Sequence, residues 1–417
     1  MFLSEVRLVN FRSYCDASVV FGRGLNVVVG PNASGKTNLL EGACFALRGS
    51  SPRTRREEKL VAWGRRFTRV SVRMDGVGDR PHTMEVGYSP GEGKRVRWDG
   101  LETTALHDLR GRCQAFIFVP ESLLLVKGGP ARRRAHIDAY AATVETPYAA
   151  TVRDLQVALR QRNAQLANVR AGAPPATLDP WDAQFARSAI ALGRRRSAVV
   201  RALGARFAEV AAALAPDGGR FALELVSQLA RMDYDESALL ERLRARRAAD
   251  VQRGLTDVGP QRDDLRFVEL SETPEGAAGE ACRAARGAET AAACGPVGPP
   301  PGGRDLRLFG SQGEQRAAVL ALLLAEHALA AERTGETGTL FLDDVMSELD
   351  DARRRLLVAM LADAGQAIVT TTNLHYFTDE ELAAATVIDL PLANGGVSLA
   401  NDGAGDADVT KDGAGGA

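Results

Sequence analysis

The chain has 417 residues, 45% of them apolar and 25% charged, with a formal net charge of −1. That is enough for two or three folded units of about 150 residues each, and a net charge near zero neither demands nor excludes a nucleic-acid partner. No run of about 18 or more consecutive apolar residues occurs, which excludes a membrane-spanning helix, and the five scattered cysteines exclude a disulfide scaffold or a paired-cysteine zinc site.

The opening segment, MFLSEVRLVNFRSY, alternates like a strand and lacks the charged start and apolar core of a signal peptide, so a cytoplasmic chain is expected. Apolar runs follow at LNVVVG, VSVRM, TMEVGY and AFIFVP, with a helix signal over 37–46. Together they predict a sheet-rich α/β lobe in the first 130 residues. Between Ser51 and Val70 the chain carries Arg53, Arg55, Arg56, Lys59, Arg65, Arg66 and Arg69 against only Glu57 and Glu58. Such a segment suits phosphate contacts that read no sequence, or simply a solvated face. Further arginine clusters stand at 132–134, 194–196 and 242–247, where a solvated helix face is again the alternative.

From about residue 131 to 250 the spacing turns helical. Val152, Leu155, Leu159, Leu166 and Val169 form one apolar stripe, and Phe185, Ala189, Leu192, Val199, Leu203, Phe207 and Val210 another. The intervening AGAPPATLDP makes a helical hairpin the simplest arrangement, inserted as an arm. Residues 251–395 return to helix and strand alternation. Within them 272–304, rich in Ala, Gly, Pro and Glu, reads as a flexible insertion, and 396–417 reads as a disordered tail.

Gly30-Pro31-Asn32-Ala33-Ser34-Gly35-Lys36-Thr37 matches the phosphate-loop pattern, with a strand before it and a helix after it. Its glycines let backbone N–H groups curl around phosphate oxygens, Lys36 reaches the β- and γ-phosphates of ATP, and the Thr37 hydroxyl is placed to ligate Mg²⁺. In Thr339–Asp344 an apolar strand ends in two carboxylates: Asp343 is the candidate Mg²⁺ ligand and Asp344 the candidate general base. Gly310-Ser311-Gln312-Gly313-Glu314 opens a long helix. Ser311 with Glu314 fits a capping box, while Ser311 and Gly313 at a positive helix end also fit a second phosphate-binding surface. One chain cannot readily put two helix starts on opposite sides of one γ-phosphate, which suggests an ATP-dependent homodimer. Ser347 and Asp350 lie where a turn could cross such an interface or cap the next helix.

These motifs, in this order and with a helical insertion between the first and the others, resemble the ABC-type ATPases that include the SMC proteins, and most closely the RecF family of bacterial replication and repair proteins. The segments that carry the resemblance are VRLVNFRSY (6–14), PESLLLVKGGPARRRAHID (120–138), GPQRDDL (259–265), SQGEQR and FLDDVMSELD. The chain departs from the family pattern at His136, where an aromatic is usual, and at Gln261, where a histidine is usual. The resemblance implies an ABC-type ATPase head with mixed sheets and an inserted helical arm. It implies slow, DNA-stimulated ATP hydrolysis, dimerisation on ATP, and binding to gapped DNA or junctions of single and double strands. It also implies joint work with RecO and RecR in loading RecA. Arg132, Arg133 and Arg134, beside the glycines of KGGP, are expected to meet a nucleotide or DNA phosphate. An ATP-gated clamp in which hydrolysis only times release is a competing expectation. A transporter's ATPase subunit is another, disfavoured by the helical arm and the arginines.

Overall fold

The computed structural model describes residues 2–76, 80–103, 114–214, 219–270, 303–390 and 398–399. The insertion expected over 272–304 falls outside them except for Gly303 and Arg304, and the tail expected over 396–417 except for Ser398 and Leu399. From the amino end come β1 (Phe2–Phe11), β2 (Tyr14–Val20), β3 (Gly24–Val29), α1 (Lys36–Arg48), β4 (Thr68–Asp75), β5 (His82–Ser89), β6 (Gly93–Trp98), β7 (Leu101–Glu102) and β8 (Ala115–Phe118). Next are α2 (Pro130–Val144), α3 (Tyr148–Arg170), α4 (Asp179–Ala213), β9 (Arg220–Val226), α5 (Glu236–Arg253), β10 (Asp264–Leu270) and β11 (Arg304–Asp305). The series ends with α6 (Gln312–Thr334), β12 (Thr339–Leu342), α7 (Asp351–Asp363), β13 (Gln366–Thr371), β14 (Thr386–Asp389) and β15 (Ser398–Leu399).

These elements divide into two compact units. One comprises Ala105–Phe341 and Glu348–Ala364; the other comprises Phe2–Thr104, Leu342–Ser347 and Gly365–Ala417. In the second unit an antiparallel sheet runs in the order β2-β1-β4-β5-β6-β7. The alternating burial of β4 leaves Val70, Val72 and Met74 inside while Arg69 and Arg73 face solvent. A second layer centres on β3, whose residues Leu25 and Val27–Val29 are buried and which pairs in parallel with β13 on one side and β14 on the other. A mostly apolar central strand suits parallel pairing between covered faces, and its one buried polar side chain, Asn26, is satisfied by the backbone of Gly22 and Gly24. The buried Gln366 side chain joins the layers: its Nε2 donates to the Leu3 carbonyl and its Oε1 accepts from Leu3 N–H, each at 2.8 Å. Helix α1 lies on the antiparallel sheet, where a Cβ on Gly42 would stand 2.4 Å from the buried Leu8 side chain.

The other unit is largely helical. Helices α3 and α4 pack together across a short connection, and α4 also packs on α5, α6 and β9. The apolar stripe of α4 is buried throughout, from Phe185 to Val210. On α3 the buried line is Leu155, Ala158, Arg162 and Leu166. Arg162 is wholly enclosed; its guanidinium donates to Asp182 at 2.8 Å, to Asp250 at 2.9 Å and to the Thr256 hydroxyl at 2.6 Å. One cation thereby fastens α3 to α4 and α5. Among the described residues, no helix is long and apolar enough to cross a membrane.

Removing Arg162 leaves Asp182 and Asp250 buried with a charge and no full compensation. Arg162→Leu should therefore lower unfolding stability by about 3–5 kcal/mol, read as a fall in the urea midpoint. A midpoint equal to that of the parent would show that the triad contributes nothing.

Candidate phosphate-loop site

The site begins where β3 ends. Gly30 N–H donates to the Thr371 carbonyl of β13 at 3.2 Å, which fixes the strand's exit, and a Cβ on Gly30 would stand 2.8 Å from both the Leu390 carbonyl oxygen and Ser34 Oγ. The chain then curls through two left-handed residues, Ala33 (φ 68°) and Gly35 (φ 102°). Such alternation turns successive N–H groups to one side and makes an anion-binding nest at the start of α1. The Ser34 hydroxyl is buried there with no hydrogen-bond partner, a polar atom that a bound oxyanion would satisfy. Lys36 is buried with its Nζ donating to the Gly30 carbonyl at 2.6 Å and the Pro31 carbonyl at 2.9 Å. Burial lowers the lysine's pKa, against the opposing pull of Asp344 and Asp343.

The acidic pair sits against this loop. The Thr37 hydroxyl donates to Asp343 Oδ2 at 2.7 Å, and the Thr370 hydroxyl donates to Asp343 Oδ1 at 2.8 Å. Asp344 N–H donates to the same Thr370 oxygen at 3.0 Å. Asp344 itself is left-handed (φ 48°), a conformation costly for a residue with a Cβ and often found where side chains are aimed at chemistry. Its Oδ1 is buried without a partner. Burial raises its pKa, with Asp343 adding to the effect and Ser347 and Lys36 opposing it. Thr37 and Asp343 together present a hydroxyl and a carboxylate oxygen, hard donors of the type Mg²⁺ accepts while keeping most of its waters.

The AAA domain family matches residues 5–111. The DNA replication and repair protein RecF of Heliobacterium modesticaldum is 32% identical over 394 residues, covering 93% of this chain and 96% of that one. The RecF of Acidothermus cellulolyticus is 35% identical over 383 residues, covering 89% and 94%. The chain belongs to the RecF family.

Solved structures show the same fold at lower identity. The recombination mediator protein RecF-ATPrS in the RecFOR pathway superposes with a TM-score of 0.76 at 24% identity, over 96% of this chain and 98% of that one. An Smc head bound to the C-winged helix domain of ScpA gives 0.53 at 15% identity, over 95% and 97%. The architecture is thus an ABC-type ATPase head with mixed sheets and associated helices, shared by RecF and SMC proteins.

The second candidate phosphate-binding segment expected from the sequence lies in the helical unit. Ser311 caps α6: its hydroxyl accepts from Glu314 N–H at 3.2 Å, and the Glu314 carboxylate accepts from Ser311 N–H at 2.6 Å. The capping box is therefore real, and Ser311, Gln312 and Gly313 remain exposed at the positive helix end. Arg304 clamps Glu314, and the Arg316 guanidinium forms an ion pair with Glu348 at 2.7 Å. Asp350 caps α7 by accepting from Arg353 N–H, and the Ser347 hydroxyl donates to the Asp344 carbonyl.

The basic clusters divide, although Arg194, Arg242 and Arg244 in the later ones are exposed. Arg133, expected to meet a phosphate, is buried instead: it donates twice to Asp264 (2.7 and 2.9 Å) and to the carbonyls of Leu125, Val126 and Gly128. Arg134 donates to the Asp263 carbonyl, so of that trio Arg132 alone is exposed. Arg196 is buried against Asp138 and Asp263, while Arg246 and Arg247 are paired with Asp257 and with Asp179 and Asp182. These arginines hold the helical unit together and are not free for a polyanion. On the 53–69 segment, by contrast, Arg55, Arg56, Lys59, Arg65 and Arg66 are exposed, and Arg53 reaches Glu41 at 3.2 Å.

Three residues beside the loop went unmarked as site residues in the sequence. Tyr14 donates to the Gly35 carbonyl at 3.1 Å, and burial pushes its pKa up to about 12. Arg12 makes a two-point contact with Glu41, at 2.7 and 2.9 Å, and Glu41 is fully buried on α1. Tyr14 and Arg12 belong to the VRLVNFRSY segment, so its polar residues were the available signal.

The raised pKa of Asp344 fixes a sign. The folded chain holds this proton more tightly than the unfolded chain, so the carboxyl's destabilising effect is absent below the unfolded pKa and grows as pH rises through the folded one. Asp344→Asn should therefore melt above the parent at neutral pH, and the two melting curves should converge toward the acid side of the carboxylate range. A variant that melts below the parent at neutral pH would contradict the burial cost.

Proposed function

We propose that this chain is an ATP-dependent, DNA-binding repair ATPase of the RecF kind, acting in the cytoplasm. The observation that carries the proposal is the 2.7 Å contact between Thr37 and Asp343, which brings the phosphate loop and the acidic strand end to one point with Asp344 beside it. In this assignment Gly30, Pro31, Asn32, Ala33, Ser34 and Gly35 bind the phosphates of ATP through the loop, and Lys36 neutralises the charge that develops on them. Thr37 and Asp343 hold Mg²⁺, which when bound would polarise the phosphate oxygens. Asp344, with one unpartnered buried oxygen and a raised affinity for protons, accepts the proton of an attacking water.

Ser311 and Gly313, exposed at a helix start, are assigned to the γ-phosphate held by a second copy, so that ATP links two subunits. Residues 131–250 are assigned to a helical arm inserted between head segments 1–130 and 251–395. Arg53, Arg55, Arg56, Lys59, Arg65 and Arg66 are assigned to DNA phosphates, with gapped DNA or strand junctions as the target, and with RecO and RecR as partners in loading RecA. Contacts of this kind give affinity that falls steeply with salt and reads no sequence.

The test combines three measurements. Oligomeric state is compared with ATP, with ADP and without nucleotide; a monomer in all three overturns the shared site. Hydrolysis is compared with and without gapped DNA, and DNA binding is measured at low salt; no stimulation and no binding overturn the DNA role. Asp344→Asn should cut hydrolysis by about 10²–10⁴-fold while retaining ATP binding and the ATP-dependent dimer, whereas Lys36→Ala should lose ATP binding as well.

A further inference from the structure

Trp63 is fully exposed, so folding gains nothing from its large apolar ring. Its backbone, however, is tightly specified. Trp63 occupies the second position of the turn Ala62–Arg65, closed by Arg65 N–H donating to the Ala62 carbonyl at 3.0 Å. Gly64 takes the third position at φ 76°, the left-handed conformation such a turn requires, and a Cβ there would meet nothing within 4 Å. The glycine therefore serves the turn's shape, not its packing. Both flanks are pinned: Ala62 N–H donates to the Asn10 carbonyl at 2.8 Å, Val61 pairs with Phe11, and the Ser89 hydroxyl donates to the Arg66 carbonyl at 3.3 Å. A rigid turn thus presents a bare indole to solvent.

The same short segment carries Arg55, Arg56, Lys59, Arg65 and Arg66. All five are exposed, and among the described residues none forms an ion pair with a carboxylate. Neighbouring cations do find partners, Arg12 and Arg53 on Glu41 and Lys94 on Glu57, so acidic groups are available in this region without neutralising the five. Uncompensated cations beside a preorganised aromatic match a ligand with regularly spaced anions and flat apolar faces. Single-stranded nucleic acid has both, with phosphates for the cations and bases for the ring. The interior of a continuous duplex offers the phosphates but hides the base faces.

Resting on the DNA-binding role proposed above, we infer that Trp63 stacks on an unpaired or terminal base while the five cations hold the flanking phosphates. The contact reads DNA structure, because every base has a stacking face and only a gap, end or junction exposes it. A ring held at a fixed turn needs little ordering on binding, so the discrimination comes at small entropic cost.

The test uses the full chain with ATP and three labelled DNAs: a single strand, a gapped duplex and a closed circular duplex. Trp63→Ala should weaken binding to the first two by about tenfold, leave the closed duplex unchanged and keep the parent's salt slope. Trp63→Phe should retain most of the preference. Tryptophan fluorescence should be quenched by single strands in the parent, and that component should vanish in Trp63→Ala, with Trp98 and Trp181 as the background. Arg55→Ala with Arg56→Ala should instead flatten the salt slope on all three DNAs. Unchanged gapped-DNA binding and unchanged quenching in Trp63→Ala would overturn the stacking contact alone and leave the DNA role standing; that is also the result expected if the indole docks on a protein. An equal loss on all three DNAs would likewise overturn it. No binding of the parent to any DNA at low salt would overturn both.

Discussion

Asp343 is the residue on which the site's assembly turns. Its two carboxylate oxygens are bonded by hydroxyls from Thr37, 306 residues earlier in the chain, and Thr370, 27 residues later. A buried carboxylate is costly unless its lone pairs are satisfied, and here short hydroxyl donors satisfy it from the start of α1 and from β13. The same Thr370 oxygen accepts from Asp344 N–H and so helps hold the next residue in its left-handed conformation. Three elements are thereby brought into register by one side chain. The parallel pairing of β3 with β13 and β14 sets the strand ends level, and Asp343 uses that alignment.

The parts of this arrangement legible in the sequence were those written in local pattern. The phosphate loop announces itself by spacing and by the strand and helix that flank it. The runs at VSVRM, TMEVGY and QAIVTTT are strands β4, β5 and β13, and SQGEQRAAVLALLLAEHALAAE is α6 with its capping box. The apolar stripe on α4 was visible because periodicity follows burial directly. Arg196 belongs to the cluster at 194–196, for which a solvated helix face was the alternative, and Arg162 on α3 carried no local signal of its enclosure. Whether an arginine is solvated or enclosed depends on carboxylates far along the chain: Asp263 is 67 residues from Arg196, and Asp264 is 131 residues from Arg133. Single-sequence patterns record residue type and spacing, not such partners, so clusters that read alike as basic faces separated into internal fastenings and free cations.

His136 and Gln261, set apart in the sequence from the pattern the resemblance implies, are held in different ways, the first by a partner 190 residues away and the second by its own turn. His136 Nε2 sits 2.7 Å from the buried carboxylate of Glu326 on α6, within hydrogen-bond distance. Gln261 donates through its amide to the carbonyls of Thr256 and Val258, closing the turn before β10, where Gly259 (φ 128°) has no room for a Cβ beside Phe185. Both side chains find their partners in the helical unit, outside the unit that holds the loop and the acidic pair.

Within the nucleotide-loop unit, Glu41 makes the phosphate loop and the basic segment parts of one rigid arrangement. It lies one helical turn beyond Thr37 on α1, fully buried, and accepts from Arg12, Arg53 and the Ser51 hydroxyl. Arg12 completes the link, because its guanidinium also donates to the Lys59 carbonyl at 2.9 Å and its N–H to the Leu60 carbonyl at 2.8 Å. A buried carboxylate shared by two guanidiniums tolerates little displacement, since losing either partner exposes an uncompensated charge in a poorly solvated place. Any displacement of α1 would therefore be carried into the segment bearing Arg53 and Lys59, or would break contacts at Glu41. The linkage is reciprocal: whatever holds the basic segment in place also restrains the helix that opens the phosphate loop.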